Sequence, residues 1–408
     1  MKVIVRYRGS SGLPVVGTLA NDARGRVFFE YDADWRVGGM ELSPIYLPLQ
    51  TAGTVTTGDP GFSPLFGLFD DSLPDWWGQR VMRKHFEEMN LPWNEVGPLE
   101  KLACQGAYAL GALAYEPDLS PGSYRETIVT EVAGLVDSAR DLLAGTGEKV
   151  IPALIRGGLS PGGAQPKALL AFDEDFQEVR AGGGEIAEGF SRWLMKFQID
   201  PEDHLCQQEY AIAQMAEAAG IRVPETRLYE AADGGVHFMI RRFDFDRNGP
   251  LHMHSYGGLT HTPVRELIDY SDVMDLTRDL TGRETELEEM FRRAVFNIAI
   301  ANDDDHSRNH SYLMDQGGEW KLSPAYDMTR SGYALGSGYR AAGVSGKFSK
   351  IGLKDLQKLG KDQGLRRVDD LTSSVLDAVG RWPDFAAGAG LQRAETGMLG
   401  DEFPGLRW

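Results

Sequence analysis

The densest polar cluster in the 408-residue chain is Asn302-Asp303-Asp304-Asp305-His306-Ser307-Arg308-Asn309, which follows directly on the apolar stretch Phe291–Ile300. Adjacent carboxylates repel one another, so three in a row at the end of a helix point to a divalent cation, a proton-transfer role or full solvation. The spacing narrows the choice. Asp304 stands five residues before Asn309, the separation at which a carboxylate can accept the proton of an attacking hydroxyl while an amide holds Mg²⁺ during phosphoryl transfer.

Such chemistry needs further parts, and candidates for each occur in the sequence. Trp320-Lys321-Leu322 reads as a short strand leading to Pro324-Ala325-Tyr326-Asp327, which supplies a second carboxylate for the metal. Lys196 ends the apolar run Trp193-Leu194-Met195, the setting of a lysine pinned by burial against nucleotide phosphates, although a strand-end lysine is also a common surface residue. Glu209, on the next helix, is placed to pair with it. The segment Gly157-Gly158-Leu159-Ser160-Pro161-Gly162-Gly163-Ala164-Gln165-Pro166-Lys167 precedes a strand as a phosphate loop would. It matches neither G-x-x-x-x-G-K-[ST] nor G-x-G-x-x-G, so it reads as an anion-binding nest or as a plain flexible turn. His252, His254 and His261 sit in a Gly-containing segment and read as a loop facing nucleotide or substrate, or as metal ligands with Asp303 to Asp305.

The elements that must position these residues follow from hydrophobic period. Met1–Tyr7, Val15–Thr18, Val27–Tyr31 and Ile45–Leu47 read as strands of a small β unit, and Pro74 or Asp75 opens a helix over Trp76–Met89. Residues 119–124 read as a linker, and Glu126–Ala144 has helical spacing. Ala168–Phe172, Arg192–Phe197, Arg227–Tyr229 and Val236–Arg241 have strand character, with a helix over Gln207–Ala219 between them. After Asp246 the segments Pro263–Tyr270, Ser271–Leu280, Glu284–Ala301, Leu353–Gly360 and Val368–Val379 all carry helical spacing.

Composition bounds the possibilities. A length of 408 predicts two or three domains. With 42% apolar and 25% charged residues, pervasive disorder is excluded. No window approaches the ~20 apolar residues of a membrane span, and the start alternates like a strand rather than a signal peptide, so a cytoplasmic protein with no membrane partner is expected. The excess of 60 acidic over 42 basic residues, a net charge of -18, argues against a broad nucleic-acid surface and leaves room for a basic partner. Cys104 and Cys206 are far apart and read as small buried residues in a reducing compartment.

Taken together, these blocks resemble the HipA family, the serine/threonine-protein kinase toxins of bacterial toxin-antitoxin modules. Phe69-Asp70-Asp71-Ser72-Leu73-Pro74-Asp75-Trp76-Trp77-Gly78 and Gly106–Leu113 resemble its N-terminal subdomain, and Gly162-Gly163-Ala164-Gln165-Pro166-Lys167 its phosphate loop. Trp193–Lys196 resembles the ATP-lysine strand, and Gln208-Glu209-Tyr210 and Arg242-Phe243-Asp244 resemble two further blocks. Asp304–Asn309 and Pro324–Asp327 resemble the catalytic and metal motifs. The resemblance implies an α+β, two-lobed protein-kinase-like fold: an N-terminal β-rich subdomain (1-118), a kinase N-lobe with the phosphate loop (119-245) and an all-helical C-lobe with the catalytic loop (246-408).

It also implies ATP and Mg²⁺ as cofactors, Asp304 as proton acceptor, Asn309 and Asp327 on the metal, and Lys196 on the phosphates. Gly162, Gly163, Ala164, Gln165, Pro166 and Lys167 fall on the phosphate loop, Arg241, Arg242 and Phe243 on the adenine hinge, and His306, Ser307, Arg308 and Tyr326 on ATP-contact positions. Ser160 falls on the serine that family members autophosphorylate, which expels the loop and switches the enzyme off. The implied partners are a HipB-type helix-turn-helix antitoxin, operator DNA held mainly through it, and a protein substrate such as the aminoacyl-tRNA synthetases that some members target. The sequence departs from the family at Asp305, where a Gly is common and where added charge beside the metal is expected, and at Arg241, which replaces an acidic hinge residue. Asn248–Leu259 does not follow the family's best-known member, a departure that bears on the protein substrate. Two other classes fit parts of the pattern: a metal-dependent phosphohydrolase using Asp303 to Asp305 with the histidines, and a catalytically silent subunit that strengthens an antitoxin's hold on DNA.

Overall fold

The computed structural model describes residues 1–57, 61–120, 128–146, 152–158, 165–182, 186–331 and 338–407. Ser160, Gly162, Gly163 and Ala164 therefore lie outside the described residues.

At the N-terminus, β1 (Lys2–Tyr7), β2 (Val15–Asn21), β3 (Val27–Tyr31) and β4 (Leu113–Glu116) form an antiparallel sheet in the order β3-β2-β1-β4. Alternation along β1 buries Val3, Val5 and Tyr7 against Leu19, Phe29, Leu99 and Leu102. Ile45–Leu47 is not a strand; only an isolated bridge from Ser43 to Leu47 forms there, because Pro44 and Pro48 interrupt the ladder. Among the described residues four α-helices are threaded between β3 and β4: α1 (Ala33–Gly38), α2 (Gly67–Asp70), α3 (Trp76–Glu88) and α4 (Pro98–Gln105).

Helix α3 starts where Asp75 accepts a hydrogen bond from the Gly78 amide at 2.6 Å, an N-cap. Its apolar positions Trp77, Val81, Met82 and Phe86 recur with helical period and share one face. That face packs not on the N-terminal sheet but into the core of the next unit, against Leu135, Val136, Leu170 and Phe172.

The second unit contains β5 (Ile128–Thr130), α5 (Val132–Ala144), α6 (Pro152–Gly158), β6 (Lys167–Asp173), β7 (Val179–Ala181), β8 (Phe190–Lys196), α7 (Leu205–Ala218), β9 (Thr226–Glu230) and β10 (Val236–Arg241). Its sheet has the order β5-β7-β6-β8-β10-β9 and is antiparallel throughout. Residues 128–130, expected as helix, form an edge strand instead, in keeping with the β-branched Ile-Val-Thr run. Gly157 and Gly158, expected in a loop, end α6; a Cβ on Gly157 would stand 3.0 Å from the Leu169 carbonyl, so this glycine allows the helix to approach β6.

The third unit carries α8 (Tyr256–Thr260), α9 (Tyr270–Thr281), α10 (Glu284–Ala299), α11 (Leu353–Asp362), α12 (Val368–Gly380), α13 (Trp382–Gly388) and α14 (Arg393–Glu402), with Phe291, Val295, Leu356 and Val375 in its core. It is mostly rather than entirely helical. β11 (Phe245–Asp246) pairs with β12 (Gly249–Pro250), and β14 (Ile268–Asp269) with β17 (Ala342–Gly343). A three-stranded sheet, β13 (His252–Ser255), β15 (Ser311–Met314) and β16 (Trp320–Leu322), holds the segment after the polar cluster. The expected helix over 263–270 is a turn followed by β14, because Ile268 donates its amide to the Ala341 carbonyl and Asp269 caps α9. Among the described residues no helix is long and apolar enough to cross a membrane.

The first and third units meet tightly. A Cβ on Gly67 of α2 would overlap the Gly258 carbonyl of α8, so glycine is required for this contact.

Candidate active site

Between the second and third units lies a cleft of ≈ 610 Å³. Leu169, Leu194 and Ile240 line it from the six-stranded sheet, Arg241 to Asp244 from the connection after β10, Tyr326 and Asp327 from the third unit, and Leu110 from the N-terminal unit. Two lysines enter it. Lys167 and Lys196 are cross-strand partners in the β6–β8 register, so they share one face of the sheet.

Lys196 is buried, and its Nζ contacts Glu209 Oε1 at 2.5 Å and also Asp327 Oδ1. Burial alone would lower the lysine pKa, but the Asp327 and Glu209 carboxylates outweigh it and hold it above the ordinary value. Asp327 is held down to about 2: burial opposes this, and the charges of Lys196 and Lys167 prevail. The aspartate has φ +52, a left-handed conformation that short polar side chains tolerate. Tyr326 braces that turn. Its hydroxyl donates to the Arg308 carbonyl at 2.7 Å, and its ring stacks on Phe243 at 5.7 Å between centroids.

The three consecutive acids diverge. Asp303 turns to Arg340 at 3.3 Å. Asp305 is buried beneath the loop, accepting from the Tyr270 hydroxyl, from Asn297 Nδ2 at 2.9 Å and lying 3.0 Å from His310 Nε2. The expected place of Asp305 beside the metal is therefore corrected: it faces α9 and α10, where buried donors satisfy its oxygens. Asp304 alone is exposed at the surface of the loop. Burial raises its pKa, His306 opposes the rise, and Asp327 adds to it. Its carbonyl accepts from the His306 amide at 2.8 Å and from Asn309 Nδ2 at 3.0 Å. Asn309 thus closes the loop with its NH₂ group and keeps Oδ1 as the acceptor it can offer a cation.

Of the other expected site residues, Arg242 and Phe243 line the cleft, whereas the Arg241 side chain turns outward to Glu225 at 2.8 Å. Gln165 reaches back to the Phe197 carbonyl at 3.4 Å, and the Pro166 carbonyl accepts from the Phe197 amide at 2.8 Å. His306, Ser307, Arg308 and Asn309 do not line the cleft itself. Ser307 is fully buried and donates to the Thr262 carbonyl at 2.9 Å, and Arg308 pairs with Asp70 of α2.

The histidines read above as a nucleotide-facing loop or metal ligands do neither. His252 and His254 lie in β13 and His261 ends α8, all three buried against the N-terminal unit. His252 Nε2 meets the Leu42 carbonyl at 2.8 Å, His254 Nδ1 meets Asp71 at 2.6 Å, and His261 Nε2 accepts from the Gly67 amide at 3.0 Å. Among the described residues no three His, Cys, Asp or Glu side chains converge to hold a metal ion. Sequence reasoning missed the interface acids Asp70, Asp71 and Asp75; the signal was three carboxylates within six residues of an otherwise apolar stretch.

Family comparison accords with this geometry. Residues 159–382 match the HipA-like C-terminal domain and residues 12–116 the HipA N-terminal domain. The chain belongs to the HipA family. A "Putative kinase" of Haemophilus influenzae is 27% identical over 188 residues, 42% of this chain and 52% of that protein. "Putative kinase Y4mE" of Sinorhizobium fredii is 24% identical over 402 residues, 90% of this chain and 89% of its own length. The chain spans about half the length of the first two curated relatives it matches. A solved complex of HipA, HipB and operator DNA from Shewanella oneidensis MR-1 superposes with a TM-score of 0.70 at 17% identity, covering 99% of this chain and 95% of that one. The α+β fold is thus that of HipA.

The HipA fold explains why Asp71 is charged although enclosed. Its carboxylate accepts from His254, from the Ser255 amide at 2.7 Å and from the Ser255 hydroxyl at 2.6 Å. Burial opposes ionisation, and these donors hold the pKa near about 2 against an ordinary 3.8. A depressed folded-state pKa stabilises the protein above the ordinary value and loses that contribution as pH falls from about 4 toward 2. Asp71→Asn is therefore expected to cost about 2–3 kcal/mol at pH 7, the scale of hydrogen bonds to a charged group. The difference from wild type in urea denaturation should shrink toward pH 2; an equal deficit at both pH values would refute it.

Proposed function

We propose that this HipA-family chain is an ATP- and Mg²⁺-dependent serine/threonine protein kinase, the toxin of a toxin-antitoxin module. The observation that carries the reading is Lys196 joined to both Glu209 and Asp327 at the end of a strand lining the cleft. A phosphoryl-transfer enzyme works mainly by positioning and electrostatics, and this trio is the arrangement that aims a cation at nucleotide phosphates. Leu169, Leu194 and Ile240 offer an apolar slot for adenine, with the backbone of Arg241 to Phe243 at its edge.

Mg²⁺ suits the donor set, since it takes one or two protein oxygens and completes its shell with phosphate and water. Asp327 and Asn309 would hold it, and when bound it would neutralise charge on the phosphate oxygens. Asp304, alone among the three acids in facing the solvent side of the loop, accepts the proton of the substrate hydroxyl as its oxygen attacks the γ-phosphorus and ADP leaves. Ser160 is the self-inactivating acceptor in this reading: a phosphate on it would repel those of ATP. The relative from Shewanella oneidensis occurs with HipB and operator DNA, which supports a HipB-type helix-turn-helix antitoxin as partner. The net charge of -18 favours contact with DNA through that partner rather than directly. The substrate is a protein hydroxyl, an aminoacyl-tRNA synthetase being the class the family suggests.

Incubation of the full chain with Mg²⁺ and γ-labelled ATP tests the reading. Label is expected on Ser160, located by phosphopeptide mapping after phosphatase pretreatment. Absence of labelled protein, or release of phosphate from esters without ATP, would overturn it.

A further inference from the structure

The cleft contains two lysine–carboxylate pairs, and the second carboxylate comes from outside the kinase lobes. Lys167 Nζ lies 2.8 Å from Asp75 Oδ2, with the lysine side chain 1% and the aspartate 9% exposed. Asp75 is itself fixed, because its other oxygen caps α3 at the Gly78 amide. Two residues on, the buried Trp77 donates its indole N–H to the Lys167 carbonyl at 2.9 Å. One helix turn therefore grips residue 167 by backbone and by side chain.

Lys167 lines the cleft and faces Lys196 across the β6–β8 ladder. A buried ion pair is a poor device for stability alone, since desolvation offsets its Coulomb energy. A lysine has a flexible four-carbon stem, and ordering it before the nucleotide arrives removes that entropic cost from binding. We propose that Asp75 is a positioning residue of the nucleotide site, holding Lys167 in place for the phosphates just as Glu209 holds Lys196. The N-terminal unit is then a working part of the ATP site. This inference rests on the kinase reading.

A double-mutant cycle tests it, with the dissociation constant of a fluorescent ATP analogue and Mg²⁺ measured on full-length Asp75→Asn, Lys167→Met and the double variant. Asparagine retains the cap oxygen while removing the charge, and Asp75→Ser, which also caps, serves should the first not fold. Asp75→Asn is expected to weaken binding roughly tenfold, the scale on which supporting partners act. In turnover it should raise KM for ATP more than it lowers kcat. In the Lys167→Met background the same change should alter binding less than about twofold, because a residue acting through Lys167 has nothing left to position. Wild-type affinity in Asp75→Asn, or full additivity with Lys167→Met, would overturn the inference alone. Failure of the wild-type protein to bind any adenine nucleotide would overturn the kinase reading and the inference with it.

Discussion

Asp304→Ala is expected to lower phosphoryl transfer by about 10²–10⁴-fold, the usual contribution of a positioned general base, with nucleotide affinity within about threefold of wild type. The substitution is clean because the structural work at this position belongs to the backbone. The Asp304 amide donates to Ser331 Oγ at 2.9 Å, and its carbonyl accepts from His306 and Asn309. Alanine keeps all three bonds. It removes only an exposed carboxylate, so folding should be unaffected. Single-turnover transfer from γ-labelled ATP, measured beside equilibrium binding, separates the two effects. Transfer within tenfold of wild type would remove Asp304 from the role of proton acceptor.

Lys196→Met should damage both stability and binding. The ammonium group is the shared partner of Glu209 and Asp327, and its loss leaves two carboxylates facing one another in a buried site. Removing one partner of a buried pair costs about 3–5 kcal/mol, and the loss of the cation proposed to face the phosphates should abolish measurable nucleotide binding. The stability deficit has a predictable pH dependence. Burial already raises the Glu209 pKa, Lys196 opposes that rise, and Asp327 adds to it; without the lysine the rise is larger. A carboxyl whose folded-state pKa lies above its unfolded one binds its proton more tightly when folded, so stability recovers as pH falls. Urea denaturation should show a large deficit at pH 8 that narrows toward pH 5. A deficit independent of pH would mean that the two carboxylates do not share the site in the variant.

Much of this arrangement is legible in the chain because its signals are local. The alternation Val3, Val5 and Tyr7, the apolar run ending at Lys196, and the strand leading to Asp327 each reflect a two-residue period that a buried sheet face imposes. Glu209, chosen from its helix alone, does lie against Lys196. Misreadings arise where local pattern is ambiguous. Residues 128–130 continue the apolar spacing of α5, yet their β-branched side chains pair with β7. Residues 263–270 have helical spacing, yet the Ala341 carbonyl captures the Ile268 amide from a distant segment.

The sequence by itself determined which chemical groups are present and at what spacing: three consecutive acids, an asparagine five residues after Asp304, a further carboxylate at Asp327, and lysines at strand ends. It could not say which of Asp303, Asp304 and Asp305 stays exposed at the loop surface, since three neighbouring carboxylates are equivalent until Arg340, Tyr270, Asn297 and His310 claim two of them. Nor could it foresee that the histidines join two units, or that Asp75 meets a lysine more than ninety residues away. Those facts depend on packing between distant segments, where burial makes each charge seek whatever partner the fold brings within reach. Spacing along the chain carries no record of that choice; only the tertiary structure makes it.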